Sequence, residues 1–551
     1  MKRLLPIVLF SVAVAAGQDT LKLNQPVERD LPPGAAQSYT IQLNPGDYAA
    51  GSLDQHGKAD MAVILPDGSR MRRFPAAPED GKRSFAFVAE TAGTYRLELT
   101  TAATQPVHYQ LRLEALLPLN ERLKPQPPED ASPRIQALRT QVGSGKADLE
   151  GFWRQVAQDG TPLVEAIDKD ARHQLVTFLW RGGPDTHNVL VAGSFQTGGG
   201  ALQDRAMRQL AGTDVWYLTV KLPRGARFMY ALSPNDPMVL DGPHAAERQA
   251  TMEADPLNSH RWACPADASK YACQSMVELP GAVPQPWIVR NSGNPAGEVH
   301  KHTIKSAILN NEHNLSVYTP PGYKTDGKPY ALLVVFDEGS YLETVPTPVI
   351  LDNLLAASKI PPTVAVLIAN PSQETRSKEL PPNADFADFL AKELIPWIHG
   401  NYHVTSDPRL TVVAGSSYGG IAATYAGLRH PEVFGNILCQ SGSFWWAPDH
   451  SAGPDTDTST ETGWLAKEFI KSPRLPLKFY MDAGSFEYDA GGGGGGILEP
   501  SRHMRDVLLA KGYEVHYQQF IGGHDYLSWR GTLADGLMYL MGDSQAEAAR
   551  R

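Results

Sequence analysis

Cysteine is nearly absent, with three residues, Cys264, Cys273 and Cys439, in a chain of 551. No pair among them has zinc-finger spacing, so a zinc-scaffolded fold is excluded. A basic excess is also lacking. Lys and Arg number 50 against 60 Asp and Glu, a net charge of −10. A nucleic-acid binder needs a basic face to displace phosphate counterions, and no such footprint is present. A local basic pocket for a small anion remains compatible with this balance. Past the N-terminus no run reaches the roughly 18 uncharged apolar residues of a spanning helix. No integral membrane segment is therefore expected in the mature chain. Internal repeats are missing too. The run GGGGGG (491–496) lacks the Lys-Ser/Thr ending of a phosphate-binding loop and reads as a mobile surface loop.

What is present begins with MKRLLPIVLFSVAVAAGQDT. Lys2 and Arg3 precede an apolar run from Leu4 to Ala16, and small residues follow. This order predicts a secretory signal peptide over residues 1–17 and an exported protein, periplasmic or extracellular. In an oxidising compartment the close pair Cys264 and Cys273 is a disulfide candidate. Cys439, inside the apolar GNILCQSGS, reads as a buried free thiol.

The patterning divides the rest. Residues 18–115 alternate apolar and polar in short runs between turn residues, as in RSFAFVAETAGTYRLELT, which predicts a β-sandwich accessory domain. Residues 116–149 contain the proline-rich, charged PLNERLKPQPPEDASPR, a linker that runs into a helix over about 134–158. HQLVTFLWRG, HNVLVAGSF, VWYLTVKLP and ARFMYALSP are strands of a second β-sandwich domain, 150–262, and a second linker spans 263–299. From 300 to 545 strands alternate with helices, and the central strands are continuous apolar runs. That predicts a doubly wound, mostly parallel sheet with both faces covered.

One turn in that last unit carries chemistry. TVVAGSSYGGIAA holds Gly415-Ser416-Ser417-Tyr418-Gly419, a G-x-S-x-G window between a strand and a helix. There the central serine sits on a strained turn with its hydroxyl above the sheet, and flanking glycines relieve the crowding. Ser417 is framed in this way and Ser416 is not. A general base is expected at His524, behind two glycines after the last strand; His503 and His516 fall on a helix and in a strand. An acid to hold the imidazole should follow LKFYMDAG, with Glu487, Asp482 and Asp489 as candidates and Glu487 favoured. The oxyanion needs two backbone donors. One is the N–H of Tyr418, and the other comes from the loop DEGSY, with Gly339 favoured.

With those residues in place, a resemblance emerges. The last 250 or so residues resemble the enterochelin (ferric enterobactin) esterases, an esterase-D-like branch of the α/β-hydrolases. The matching stretches are GSSYGG, HPEVFGNILCQSGSFWW, DAGSFE, GYEVHYQQFIGGHDYLSWRGTLADGL and VYTPPGY. Residues 150–262 resemble that family's immunoglobulin-like N-terminal domain through VTFLWRG, LAGTDVWYLTVKLPRGARFMYALSPND and DPLNSHRW. The first β-domain is extra to the family's usual plan. The resemblance implies a Ser417–His524–Glu487 triad working through an acyl-enzyme on the lactone of a catecholate siderophore. It implies no cofactor, because iron arrives with the substrate, and no protein metal site. Asp337-Glu338-Gly339 departs from the Asp-Gly order of relatives and leaves the second oxyanion donor open. A ferric siderophore is anionic and aromatic, which makes Trp445, Trp446, Trp529 and Arg530 candidate binding residues. Two other readings stand beside this one: a carbohydrate-ester hydrolase (feruloyl or acetyl esterase) with a glycan partner, and a non-catalytic secreted binding protein. The intact serine, histidine and glutamate favour an enzyme.

Overall fold

The computed structural model describes residues 19–74, 80–119, 132–195, 202–238, 251–262, 264, 270–448, 463–488 and 496–542. The expected signal peptide, Asp489 and residues 491–495 of the glycine run lie outside the described residues. Among the described residues no helix is long and apolar enough to cross a membrane.

The first unit is built from two sheets, one of five strands and one of four. Alternate residues of each face inward, so Tyr39, Ile41 and Leu43 of one sheet and Tyr109, Leu111 and Leu113 of the other share a single apolar core. The Tyr39 and Tyr109 hydroxyls meet across that core at 2.6 Å. Each is buried, and each is the polar partner of the other.

A second unit again has two sheets, each of four strands, around a core containing Phe178, Phe195, Phe228 and Tyr230. Its limits differ from expectation. Strand Gln274–Glu278 pairs antiparallel with Arg227–Tyr230 and completes a sheet, so the expected 263–299 linker contains a structural strand. The alternation in QSMVE is real but short, and Ser275 and Val277 are its buried face. The single helix expected over 134–158 is two helices, Pro133–Gly143 and Leu149–Asp159. Gly145 at φ 68° interrupts it, and Ser132 and Asp148 cap the two pieces. Ile135, Leu138, Trp153 and Val156 anchor both helices against the sheet.

The third unit is an eight-stranded mixed sheet flanked by helices. Its strands are numbered β1 (Glu298–Ser306), β2 (Asn311–Thr319), β3 (Ala331–Phe336), β4 (Thr363–Ile368), β5 (Thr411–Ser416), β6 (Asn436–Gln440), β7 (Lys478–Gly484) and β8 (Glu514–Phe520). Their spatial order is β1-β2-β4-β3-β5-β6-β7-β8. Every pairing from β4 to β8 is parallel; only β2 runs antiparallel to its neighbours. The continuous apolar runs are explained by burial on both faces. In β3, Leu332, Val334 and Phe336 enter one core, while Ala331, Leu333 and Val335 enter the other. Helix α1 (Tyr418–Arg429) packs on the first face through Ile421, Ala422, Ala423 and Ala426. Helix α2 (Tyr526–Met541) packs on the second through Leu533, Leu537 and Leu540.

The tyrosine pair gives a test of the first unit. Tyr39→Phe or Tyr109→Phe alone strands a buried hydroxyl and should cost about 1–3 kcal/mol in chemical unfolding. The double variant should cost no more than either single one. A double loss equal to the sum of the singles would contradict the pairing.

Candidate active site

The C-terminal ends of the parallel strands are strained. Asp337 after β3 has φ 58°, Ser417 after β5 has φ 57°, and Ser441 after β6 has φ 45°. Each non-glycine residue in this region costs on the order of 1–3 kcal/mol. Three at the same edge of one sheet mark where the fold gives up stability for geometry, the edge at which open α/β sheets place their sites.

Ser417 sits on the turn between β5 and α1. Its N–H donates to the Gln440 carbonyl at 3.0 Å, and its carbonyl accepts from Ser443 N–H at 3.1 Å. The turn is thereby clamped to the end of β6. The glycine frame divides unequally. A Cβ on Gly415 would lie 2.6 Å from the carbonyl carbon of Gly419, which backbone cannot accommodate. A Cβ on Gly419 would find ordinary contacts of 3.5 Å or more. Ser416 is the last residue of β5 and is fully buried.

His524 Nδ1 hydrogen-bonds Glu487 Oε1 at 2.5 Å. Glu487 is buried, and its other oxygen accepts from the Ser441 hydroxyl at 2.9 Å and from the Gly484 N–H. Three donors thus surround one carboxylate, as burial of a charge requires. Asp482, the alternative acid, is turned elsewhere. Its carboxylate accepts from the Ser441 N–H at 2.9 Å, and burial pushes it well above the usual carboxylate range. Ser441 therefore ties together both carboxylates. Its hydroxyl also accepts from Trp529 Nε1 at 2.9 Å, and the Trp529 ring stands edge-on to His524 with centroids 4.8 Å apart. Among the described residues, Ser417 Oγ has its hydrogen-bond contact with Ser443 Oγ at 3.4 Å, and the bond to His524 is not formed. Such contacts are commonly loose without substrate.

The two candidate backbone donors lie at helix starts. Tyr418 opens α1, and the first N–H groups of a helix have no intrahelical partner. Gly339 is in the first turn after β3, and a Cβ there would meet no protein atom within 4 Å. No protein contact demands glycine at 339. Asp337, at the start of this loop, is held by both nitrogens of a bidentate Arg376 fork at 2.6 and 2.8 Å. That guanidinium also lies 6.0 Å from the Tyr418 ring centre.

The four candidate binding residues have different fates. Trp529 is 3% exposed and packs under His524, so it supports the site instead of lining it. Trp446 is edge-on to Trp464 at the margin of the core. Trp445 is partly open beside Tyr418, with rings 5.9 Å apart. Arg530 lines a cavity of about 440 Å³ with Trp262, Glu343 and Thr344, stacks on Trp262 and bonds Gln285 and Glu278. Cys264 and Cys273 form a disulfide, and Cys439 is a buried free cysteine whose thiol burial pushes up.

Comparison with known proteins gives this arrangement a family. The model "Enterochelin esterase, N-terminal" matches residues 175–288, and "Putative esterase" matches 306–540. The iron(III) enterobactin esterase of Dickeya dadantii is 33% identical over 443 residues, 75% of this chain and 98% of that one. The chain belongs to the enterochelin esterase family. It is a carboxylic ester hydrolase, which sets aside the reading of a non-catalytic binding protein. An iron(III) salmochelin esterase of Escherichia coli O6:H1 is 27% identical, over 74% of this chain and 98% of its own. Among solved structures, the ferric enterobactin esterase of Salmonella typhimurium aligns with TM-score 0.57 and 28% identity, covering 71% of this chain and 98% of that one. The Shigella flexneri enterobactin esterase, crystallised in the presence of enterobactin, aligns at 0.55 and 28%, covering 69% and 96%.

Several residues of this candidate site carried no readable signal. Ser441 and Ser443 lie inside CQSGSFWW, where nothing local separates them from packing serines. Asp525, next to His524, caps α2 by accepting the Ser528 N–H. Burial pushes its carboxyl up to about 6. An unfolded aspartate titrates near 3.9. The native state therefore binds the proton more tightly, and this residue's contribution to stability is full below about pH 4 and is lost as pH rises through about 6. Asp525→Asn should flatten unfolding free energy against pH across that window, a change of about 2–3 kcal/mol. An unchanged slope would contradict a buried, upward-shifted Asp525.

Proposed function

We propose that this chain is an exported serine esterase that cleaves the ester bonds of a catecholate siderophore of the enterobactin class, through Ser417, His524 and Glu487. The observation that carries the reading is the bond from His524 Nδ1 to a buried glutamate, on the same strand-end platform as the framed Ser417. The relatives named for iron(III) enterobactin and salmochelin supply the substrate class.

In this mechanism a rotation of Ser417 brings its hydroxyl to His524 Nε2. Attack on the ester carbonyl then passes the serine proton to the imidazole. Glu487 fixes the Nδ1–H tautomer and offsets the imidazolium charge without itself taking the proton. The N–H groups of Tyr418 and Gly339 receive the oxyanion. The imidazolium protonates the departing alkoxide oxygen of the siderophore's serine, which leaves as a hydroxyl, and water repeats the cycle on the acyl-enzyme. Trp445, beside Tyr418, and Arg530, in its cavity with Trp262, suit an anionic, aromatic ligand. Iron enters and leaves with the substrate. We read the two N-terminal units as β-sandwich domains, the second being the family's own. The N-terminal apolar run supports the reading of export, and the Cys264–Cys273 disulfide suits an oxidising compartment.

The test is a hydrolysis panel of cyclic and linear catecholate siderophores against feruloylated and acetylated sugars. Siderophore esters should turn over fastest. Ser417→Ala should lower kcat by at least about 10³-fold, and Ser416→Ala should cost far less. Preferential turnover of sugar esters would overturn the substrate class. Equal losses at 416 and 417 would overturn the nucleophile.

A further inference from the structure

The loop that carries His524 rests on the second β-unit. Ser194, at the end of strand Val189–Gly193, donates its hydroxyl to Asp525 Oδ2 at 2.5 Å across 331 residues of sequence. Ser194 is itself fixed, because its hydroxyl accepts from Met229 N–H at 3.1 Å and its N–H donates to the Met229 carbonyl at 2.9 Å. The contact is close along its length. Arg227 N–H donates to the Ile521 carbonyl at 3.0 Å, and a Cβ on Gly523 would fall 1.9 Å from the Ser194 carbonyl oxygen. Glycine at 523 is thus required by the neighbouring unit and not by the turn.

The acid's loop is anchored to the same unit. Phe486, adjacent to Glu487, is buried in the core of the second unit with Phe178, Phe195 and Phe228. Its N–H donates to the Gly522 carbonyl at 3.0 Å, which joins the two loops. On the other side Asp525 caps α2, whose first turn presents Trp529 to His524 and Ser441. Base, acid and the helix behind them therefore share one external support.

We propose that Ser194 is a positioning residue of the esterase, through which the second β-unit holds His524 in register with Glu487 by way of Asp525. The family's N-terminal domain is on this account a working part of the hydrolytic centre, whatever else it binds. The inference rests on the reading of His524 as the base. Without that support the imidazole loses its fixed geometry, whereas the serine turn is clamped by its own bonds to Gln440 and Ser443. Displacements of about 1 Å in such constellations cost up to about 10²-fold in rate.

The experiment uses the full chain and a soluble aryl or siderophore ester. Ser194→Ala should lower kcat by about ten- to a hundredfold with KM within about twofold, because the substrate contacts are untouched. Ser194→Thr, which retains the hydroxyl, should restore most of the rate. In proton NMR the low-field resonance of the His524 Nδ1 proton should broaden or vanish in Ser194→Ala and persist in Ser194→Thr. If the alanine variant fails to fold, Ser194→Cys, of similar size and a weaker donor, should show the same kcat loss in smaller degree. Wild-type kcat and resonance in Ser194→Ala, or in the folded cysteine variant, would overturn the proposal. Ser417→Ala run alongside separates the two claims. If it is inactive while Ser194→Ala is normal, only the positioning role fails. If it retains activity, the triad reading fails first.

Discussion

The hydrogen bond between His524 and Glu487 governs much of the surrounding structure. A buried carboxyl group needs hydrogen-bond partners, and Glu487 has three: the imidazole, the Ser441 hydroxyl and the Gly484 N–H. Each donor imposes something further. Ser441 must adopt a left-handed backbone to offer its hydroxyl while its N–H reaches Asp482. The imidazole must be packed from behind, which Trp529 does while bonding the same Ser441 oxygen. The glutamate's own loop must be pinned, and Phe486 pins it in a neighbouring core.

These requirements explain where strain is spent. The positive φ values at Asp337, Ser417 and Ser441 fall at the ends of β3, β5 and β6, where the chain must leave the sheet abruptly to place a functional group above it. The sheet can bear this because both its faces are covered by apolar cores and its central strands are wholly buried. The Asp337–Arg376 fork and the clamp of Ser417 onto Gln440 and Ser443 hold two of the three strained turns.

Part of this was legible in the linear chain, for a physical reason. Ser417 was readable because its constraint is local, a Gly415 Cβ colliding with Gly419 four residues away. The parallel sheet was readable because strands buried on two faces are apolar at every position. The choice between Glu487 and Asp482 was not local. It depends on which carboxylate the loop after β8 can reach, and the structure gives that contact to Glu487. Trp529 looked like a binding residue because stacking and burial use the same side chain. Strand Gln274–Glu278 was hidden by its brevity beside proline- and glycine-rich sequence. Ser194 had no signal at all, since its partner lies 331 residues away.

The central claim is that one serine, Ser417, is the nucleophile activated by His524 and its buried partner Glu487. The most direct measurement is active-site labelling with a phosphonyl fluoride ester, followed by intact mass and peptide mapping. Attack by the serine oxygen displaces fluoride and leaves a stable phosphonyl serine. The account predicts one adduct per chain, on Ser417, formed in step with loss of esterase activity. An adduct on Ser416 or another residue, or complete inactivation without modification of Ser417, would contradict it.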